Sequence, residues 1–119
     1  STLTIQKTQE ERLQDTLNKL RGNILILDDS LFKSPVLISK PIQITRDSLY
    51  LKAESNIVFK SDSGYSGQPF FIAPANKSSL FENFTFENFK EVNALQKKGV
   101  LLKDVKFLKT DSLTPAARP

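Results

Sequence analysis

The chain has 119 residues, a net charge of +4 at pH 7, and no Cys, His, Met or Trp. This composition excludes cysteine nucleophiles, Ser-His-Asp triads, zinc sites made of thiolates or imidazoles, and the common axial ligands of haem. Catalysis would have to rely on Asp, Glu, Lys, Arg, Tyr or Ser, and a bound metal would be a hard cation held by oxygen atoms.

The length is typical of a single domain, which we expect to span residues 1–119. The chain has no apolar run of about 18 residues and no signal-peptide pattern at its start, so no membrane-spanning segment is predicted. Five lysines between residues 97 and 109 could attract an anionic polymer. Because lysines that alternate with apolar residues are typical of the solvated face of a strand, no nucleic-acid partner is predicted.

The first predicted element is an α-helix over residues 9–21. Thr8 and Glu11 have the spacing of a capping box, in which a hydroxyl and a carboxylate bind amide groups at a helix start. Leucines follow at i, i+4 and i+7 and form one apolar stripe. These are Leu13, Leu17 and Leu20. Because the rest of the chain is rich in strand-forming residues, we expect this helix to cover the open end of a β core.

Residues 23–109 are predicted to be mostly β-strand, because short apolar runs alternate there with polar turns. The predicted strands are residues 23–27, 36–39, 42–45, 49–52, 57–60, 70–73, 80–86 and 100–107. Residues 61–69 contain two glycines and no aliphatic residue, which indicates a loop. Residues 110–119 contain two prolines and no periodicity, which indicates a flexible tail.

A sequence motif returns after 21 residues, between positions 80 and 101. Residues 80–86, Leu-Phe-Glu-Asn-Phe-Thr-Phe, are echoed by residues 101–107, Leu-Leu-Lys-Asp-Val-Lys-Phe. A repeat of this length, built from strand-forming residues, is typical of a solenoid of stacked coils. Three polar residues are expected at corners between strands, with ordinary surface turns as the alternative. They are Asn83, Asn88 and Asp104.

Residues 22–27 read Gly-Asn-Ile-Leu-Ile-Leu, and residues 34–44 read Ser-Pro-Val-Leu-Ile-Ser-Lys-Pro-Ile-Gln-Ile. Together with the preceding helix, they resemble the opening of right-handed parallel β-helix proteins of the pectate-lyase-like superfold. Residues 81–88, Phe-Glu-Asn-Phe-Thr-Phe-Glu-Asn, are similar to the coil motif of that superfold. The resemblance spans residues 9–109. It implies a mainly β chain that forms a right-handed parallel β-helix of about four to five coils with an N-terminal capping α-helix, either a compact module or part of a larger protein.

For an enzyme, the resemblance to this superfold implies either a Lys or Arg base with calcium held by acidic residues, or hydrolysis by a pair of carboxylates. Asp28 and Asp29 are the one adjacent acidic pair outside a helix or its start, and they could share an ion only from a bent loop, so a plain turn is favoured. Arg46 and Lys103 are candidate bases, but nothing around them indicates a lowered pKa, and solvated positions are favoured. No catalytic residue, metal or cofactor is therefore predicted.

The candidate ligand-binding residues lie in the loop at residues 61–69. Tyr65 combines an aromatic face with a hydroxyl, and Asp62 and Gln68 lie close to it in the sequence. Carbohydrates are commonly held by such aromatic faces together with hydrogen-bonding groups. We therefore expect these three residues to contact a ligand, whereas Tyr50 is expected to be partly buried in a sheet.

These features favour a non-catalytic recognition or structural module of an extracytoplasmic or surface protein that binds a polysaccharide or a partner protein along one sheet face. One alternative is the N-terminal part of a polysaccharide lyase-like enzyme whose active site lies outside this chain. Another alternative is an assembly module that associates with itself through an open coil end, because exposed parallel strands invite the addition of another strand.

Overall fold

A computed structural model describes residues 6–110 of the chain. This part contains an α-helix, seven β-strands and a short 3-10 helix at Asn93–Gln96. The helix and strands are α1 (Gln9–Lys19), β1 (Ile24–Leu27), β2 (Val36–Ile38), β3 (Ile42–Ile44), β4 (Ser48–Ser61), β5 (Phe70–Ile72), β6 (Ser78–Glu87) and β7 (Val100–Leu108). Apart from Thr110, the predicted flexible tail at residues 110–119 lies outside the described residues.

The helix α1 begins with the predicted capping box. The Thr8 hydroxyl accepts a hydrogen bond from the Glu11 amide at 3.2 Å, and the Thr8 amide donates to the Glu11 carboxylate at 2.9 Å. The helix ends at Lys19, two residues earlier than predicted, because Leu20 is already extended. Leu13 and Leu17 are buried, and the helix packs against β2 and β3, so it covers one end of the β core as expected. Among residues 6–110, no helix has the length and apolar character needed to cross a bilayer.

All the strand pairs among the described residues are parallel. The larger sheet has five strands in the order β1-β4-β6-β7, with β2 pairing with the second part of β4. The smaller sheet contains β3 and β5. β4 joins two predicted strands into one of 14 residues, and its register with β6 shifts between Lys52 and Ile57. This irregularity explains why the strand pattern of the sequence is interrupted between residues 52 and 57, so that two strands were predicted instead of one.

The predicted right-handed parallel β-helix of four to five coils is wrong. The strands instead form one five-stranded sheet and a separate two-stranded sheet. Identical coils would require one constant separation between neighbouring strands, yet Leu80 and Leu101 are 21 residues apart whereas Ser48 and Ser78 are 30 apart. Residues 93–96 form a 3-10 helix, an element that the prediction did not include. The prediction had extended the period of a single pair of strands to the whole chain.

The 21-residue echo itself corresponds to a real strand pair. β6 and β7 lie side by side with Leu80 opposite Leu101 and Phe86 opposite Phe107. The three expected corner residues have left-handed backbone conformations, with φ values of 74°, 71° and 52°. These are Asn83, Asn88 and Asp104. Asn83 also donates its side-chain amide to the carbonyl of Ala53 on β4 at 2.9 Å, so it links neighbouring strands as well as turning the chain.

Phenylalanine rings fill the core between the two sheets. Phe59, Phe84 and Phe86 on the larger sheet are fully buried, as is Phe70 on the smaller sheet at 1% exposure. Their ring centroids lie 5.2 to 6.3 Å apart in tilted, stacked and edge-to-face pairs. The close packing of these rings fixes the five-stranded sheet in place and directs its other face outward.

Candidate functional site on the outward sheet face

The outward face of the five-stranded sheet carries two neighbouring rows of side chains. Leu49, Leu51 and Ala53 of β4 are buried, so the alternating residues Tyr50 and Lys52 point outward. Register partners in parallel strands lie side by side, which extends each position into a row across the sheet. The first row, called here the apolar row, is Ile24, Tyr50, Leu80 and Leu101. The second, called the charged row, is Lys52, Glu82 and Lys103.

The apolar row is an exposed strip that crosses four strands. Ile24 and Leu101 at its ends are 59% and 66% exposed, and Tyr50 and Leu80 between them are half-buried. On β1, at the edge where Ile24 lies, Ile26 is the register partner of Lys52 and is 51% exposed, so it adds a second apolar side chain at that edge. Apolar side chains are thus continuous on a surface that faces water, an arrangement that often marks a binding surface.

Glu82 lies at the centre of the charged row. Its carboxylate accepts a hydrogen bond from the Tyr50 hydroxyl through Oε1, and its Oε2 lies 3.8 Å from the Lys52 ammonium and 3.9 Å from the Lys103 ammonium. The residue as a whole is only 8% exposed. A neutral donor and one cation from β4 and a second cation from β7 therefore surround this carboxylate and compensate for its removal from water.

These contacts set the ionisation of both groups. The hydrogen bond from Tyr50 is the largest cause that holds the pKa of Glu82 below its usual value, and the charges of Lys103 and Lys52 lower it further. The same hydrogen bond, followed by desolvation, raises the pKa of Tyr50. At neutral pH the carboxylate is therefore charged and the phenol keeps its proton. The hydrogen bond holds the Tyr50 ring in one orientation within the apolar row.

The structure brings the three predicted ligand-binding residues together in the loop after β4. The Tyr65 amide donates to the carbonyl of Asp62 at 3.0 Å, and the Tyr65 hydroxyl donates to the carbonyl of Gln68 at 2.6 Å. The Gln68 side-chain oxygen accepts from the Ala94 amide at 2.6 Å, and desolvation raises the pKa of Tyr65. A side chain at Gly67 would collide with the Tyr65 ring. These contacts hold the loop in shape, and contact with a ligand there stays a prediction.

Two residues that the sequence offers to an enzyme have structural roles instead. Asp28 accepts hydrogen bonds from the Ser30 amide at 3.0 Å, the Ser30 hydroxyl at 2.6 Å and the Leu31 amide at 3.0 Å, and these bonds lower its pKa. It is thus the turn residue that the sequence favours. The Arg46 guanidinium donates to carbonyls at the C-terminal end of α1, at 3.1 Å to Leu17 and 2.9 Å to Leu20. Lys103, the other candidate base, instead belongs to the charged row.

Sequence reasoning missed the cluster around Glu82 because its members are far apart in the chain. One signal for part of it was present, since the 21-residue echo places Glu82 and Lys103 at equivalent positions. Lys52 is 30 residues before Glu82, and no repeat in the sequence marks that separation. Tyr50 is half-buried as expected, but its hydroxyl reaches the outward face.

Comparison with protein-family models, with curated proteins and with solved structures finds no match to this chain. The class that the fold and site define is a mainly β protein with parallel sheets and an outward sheet face that carries an apolar and a charged row. Nothing in the comparisons supports the resemblance to the pectate-lyase-like superfold. The function is therefore argued from the geometry of that face.

Proposed function

We propose that this chain is a non-catalytic recognition module that binds a polysaccharide on the outward face of its five-stranded sheet. The observation that carries the proposal is the Tyr50 ring, which belongs to the apolar row and is fixed by its hydrogen bond to Glu82 in the neighbouring charged row. Binding sites for small polar ligands combine apolar and aromatic surface with a few well-placed polar groups. Sugar rings have apolar faces and hydroxyl edges, so they match both rows at once.

The charged row retains hydrogen-bonding capacity for such a ligand. Lys52 and Lys103 lie 3.8 and 3.9 Å from Glu82, which is beyond direct hydrogen-bonding distance. Each ammonium carries three donors, and the Lys103 side chain is 64% exposed. Sugar hydroxyls can therefore accept from either lysine while the apolar row contacts the ring faces.

The dimensions of the face favour a polymer over a single sugar. Neighbouring strands lie about 4.8 Å apart, so a row across four strands is roughly 14 Å long. The face is open at both ends, at Ile24 and at Leu101, which are both exposed. A chain of several sugar units can therefore cross the sheet and continue past its edges.

A glycan array followed by calorimetry with the best ligand tests this proposal. Tyr50→Ala should weaken binding by roughly tenfold or more, since it removes the aromatic surface and the donor to Glu82. Tyr50→Phe keeps the ring and should cost less. Tyr65→Ala is the matched control for Tyr50→Ala. It removes the aromatic residue of the loop that the sequence predicted to bind a ligand, and it should leave binding on the sheet face in place. The absence of any glycan ligand would contradict the proposal, as would binding that is lost with Tyr65→Ala but survives Tyr50→Ala.

A second candidate function is the binding of a partner protein on the same face. It is favoured by the exposure of Ile24, Ile26 and Leu101, since contiguous exposed apolar side chains are typical of protein interfaces. A photo-crosslinking residue at Leu101 should then capture a partner in the cells that make the protein, whereas one at Leu31, which is 57% exposed outside both rows, should not. Leu101→Lys should weaken binding of the purified partner. Equal capture from both positions would count against this function.

A further inference from the structure

Within the part of the chain that the structure describes, β7 is an edge strand whose backbone is available on one side. Among residues 6–110, it pairs with β6 on one side only and is the last strand of the five-stranded sheet. A strand in this position presents a row of amide and carbonyl groups that another strand can pair with. The opposite end of the core is different, because α1 covers β2 and β3 there.

The inward side of β7 is also incompletely covered. Phe81 on β6 is fully buried, whereas its register partner Leu102 on β7 is 37% exposed. The stack of rings that begins with Phe59 and Phe86, at 5.5 Å, continues to Phe107 at 5.6 Å, with interplanar angles of 14° and 24°. Phe107 is half-buried, although Phe59 and Phe86 are fully buried. One more apolar strand on β7 would complete this stack and bury Leu102.

The charges on the outward side indicate what the added strand carries. Along the charged row, Lys52, Glu82 and Lys103 alternate in sign from β4 to β7. Opposite charges on neighbouring strands stabilise a sheet and like charges destabilise it. The position beyond Lys103 therefore favours a carboxylate. Lys106, further along β7, is also exposed, and although the strand carries one exposed acid, Asp104, its exposed charges are net positive.

We propose that β7 is a docking edge for an extended strand of a partner protein, one that alternates apolar and acidic residues and adds in parallel to β7. Its apolar side chains would cover Leu102 and Phe107, and a carboxylate would lie beside Lys103. A second copy that paired its own β7 with this edge fits less well, because it would bring another strand with two outward lysines there. This inference concerns the sheet edge, and it does not depend on the polysaccharide-binding face.

The probe is a labelled peptide with the sequence of β6, Ser78–Glu87, since this strand already pairs in parallel with β7 and carries Glu82 in line with Lys103. Binding of the peptide to the full chain is measured by fluorescence anisotropy. A scrambled peptide of the same composition is one control. A peptide with alternate amides N-methylated is the second, because it keeps the side chains but loses the donors for pairing. We expect the β6 peptide to bind and both controls to fail.

Two charge reversals locate the bound peptide. Lys52 and Lys103 contact the same carboxylate oxygen of Glu82 at nearly equal distances, but only Lys103 lies on the edge strand. Lys103→Glu should weaken peptide binding by roughly tenfold, because an attraction becomes a repulsion. Lys52→Glu disturbs Glu82 in the same way and should leave binding within about twofold. Hydrogen exchange should show new protection in Val100–Leu108 when the β6 peptide is bound.

Several results would overturn the inference. One is equal binding of the β6 peptide and the scrambled peptide, and another is an equal effect of the two charge reversals. New hydrogen-exchange protection that appears elsewhere in the chain but not in β7 would also overturn the inference. If sedimentation shows that the full chain dimerises and that Lys103→Glu changes the dimer, the occupant of the edge is a second copy and the proposed partner strand is wrong.

Discussion

Glu82 is a carboxylate on a central strand that stays charged although the residue is only 8% exposed. A buried carboxylate without partners would take up a proton, because desolvation disfavours the charged form. Here the Tyr50 hydroxyl donates to one oxygen, and two ammonium groups lie near the other. The effect of Tyr50 on the pKa of Glu82 can be separated from the effect of the lysines. Tyr50 acts through a hydrogen bond, whereas Lys52 and Lys103 act through their charges from the neighbouring strands.

The first prediction concerns the pKa of Glu82. Removal of the donor in Tyr50→Phe should raise this pKa, and it should raise it more than Lys103→Met does, because the hydrogen bond is the largest cause of the shift. The measurement is an NMR titration of the side-chain carboxyl carbon. A larger effect of Lys103→Met would contradict this ranking.

The same pair predicts how stability depends on pH. Because the pKa of Glu82 is lower in the folded chain than in the unfolded chain, its contribution to the free energy of unfolding is present above the unfolded value of about 4.3. It is lost as the pH falls through the folded pKa. Urea titrations at a series of pH values measure this loss of stability at acidic pH. In Glu82→Gln the free energy of unfolding should fall less steeply as the pH is lowered. An unchanged dependence on pH would mean that Glu82 is not the source of the effect.

The aromatic core gives a third prediction at the scale of single residues. Phe86 is fully buried, and the centroids of five other rings lie within 6.3 Å of its own: those of Phe59, Phe70, Phe84, Phe89 and Phe107. Phe86→Ala should lower the free energy of unfolding by about 3–5 kcal/mol through lost burial and a residual cavity. The matched control is Phe71→Ala, whose side chain is 46% exposed. Urea unfolding measures both, and similar costs would mean that Phe86 is not central to the core.

At the scale of elements, α1 is held to the β core by polar side chains as well as by its leucines. The Gln14 side chain donates to the Gln43 carbonyl at 3.1 Å and accepts from the Gln43 amide at 2.7 Å. Gln9 forms the same pair of bonds with Lys33, at 2.7 and 2.6 Å. A side-chain amide thus takes the place of a neighbouring strand. Backbone groups that the sheets leave unpaired near β2 and β3 are satisfied in this way.

Arg46 joins the other end of α1 to the segment after β3. Its guanidinium donates to the carbonyls of Leu17, Leu20 and Gly22, which lie in the last turn of the helix and just beyond it. Arg46→Met should lower the free energy of unfolding by roughly 1.5–3 kcal/mol, because charged hydrogen bonds to these carbonyls are lost. Arg46→Lys keeps the favourable charge at the helix end but not the planar set of donors, so its cost should be intermediate. Chemical denaturation checks the order, and equal stability of wild type and Arg46→Met would refute it.

The turn in the middle of β6 gives a prediction about strand geometry. Asn83 has a φ of 74°, and its side chain donates to the Ala53 carbonyl at 2.9 Å. Asn83→Gly relieves the backbone strain but loses the hydrogen bond, whereas Asn83→Ala loses the bond and retains an unfavourable backbone conformation. The expected order of thermal stability is therefore wild type, then Asn83→Gly, then Asn83→Ala. If Asn83→Ala were the more stable of the two variants, the backbone would not be under strain there.

Local signals in the sequence predicted the elements, but the way the strands pair was predictable only in part. The capping box of Thr8 and the alternation in residues 84–86 and 105–107 act between near neighbours in the chain, so helix and strands could be located. The pairing of Leu80 with Leu101 followed from the echo. Pairing of Ser48 with Ser78 spans the long loop after β4, and the sequence has no marker for that length. For the same reason Lys103 could be placed beside Glu82, while Lys52 and Tyr50 could not.

At the scale of the whole molecule, the two ends of the core differ. At one end, Leu13 and Leu17 of α1 are buried against the sheets. At the other end, Leu102 remains 37% exposed although it lies in register with the fully buried Phe81. The strands between these ends, β4 and β6, have parallel partners on both sides. Resistance to local opening should therefore be greatest in the middle of the sheet and lowest at β7.

Amide hydrogen exchange of the full chain tests this gradient strand by strand. Amides of β4 and β6 that are bonded within the sheet should exchange slowest, through global unfolding, whereas those of β7 should exchange at least roughly tenfold faster through local opening of the edge. Urea at low concentration distinguishes the two routes, because global unfolding exposes much surface and is accelerated, while local opening is nearly insensitive. β1 is an informative second edge, since it pairs with β4 alone among the described strands, while α1 packs against the nearby strands β2 and β3. Exchange from β7 that is as slow and as urea-sensitive as exchange from β6 would show that this edge is closed in solution.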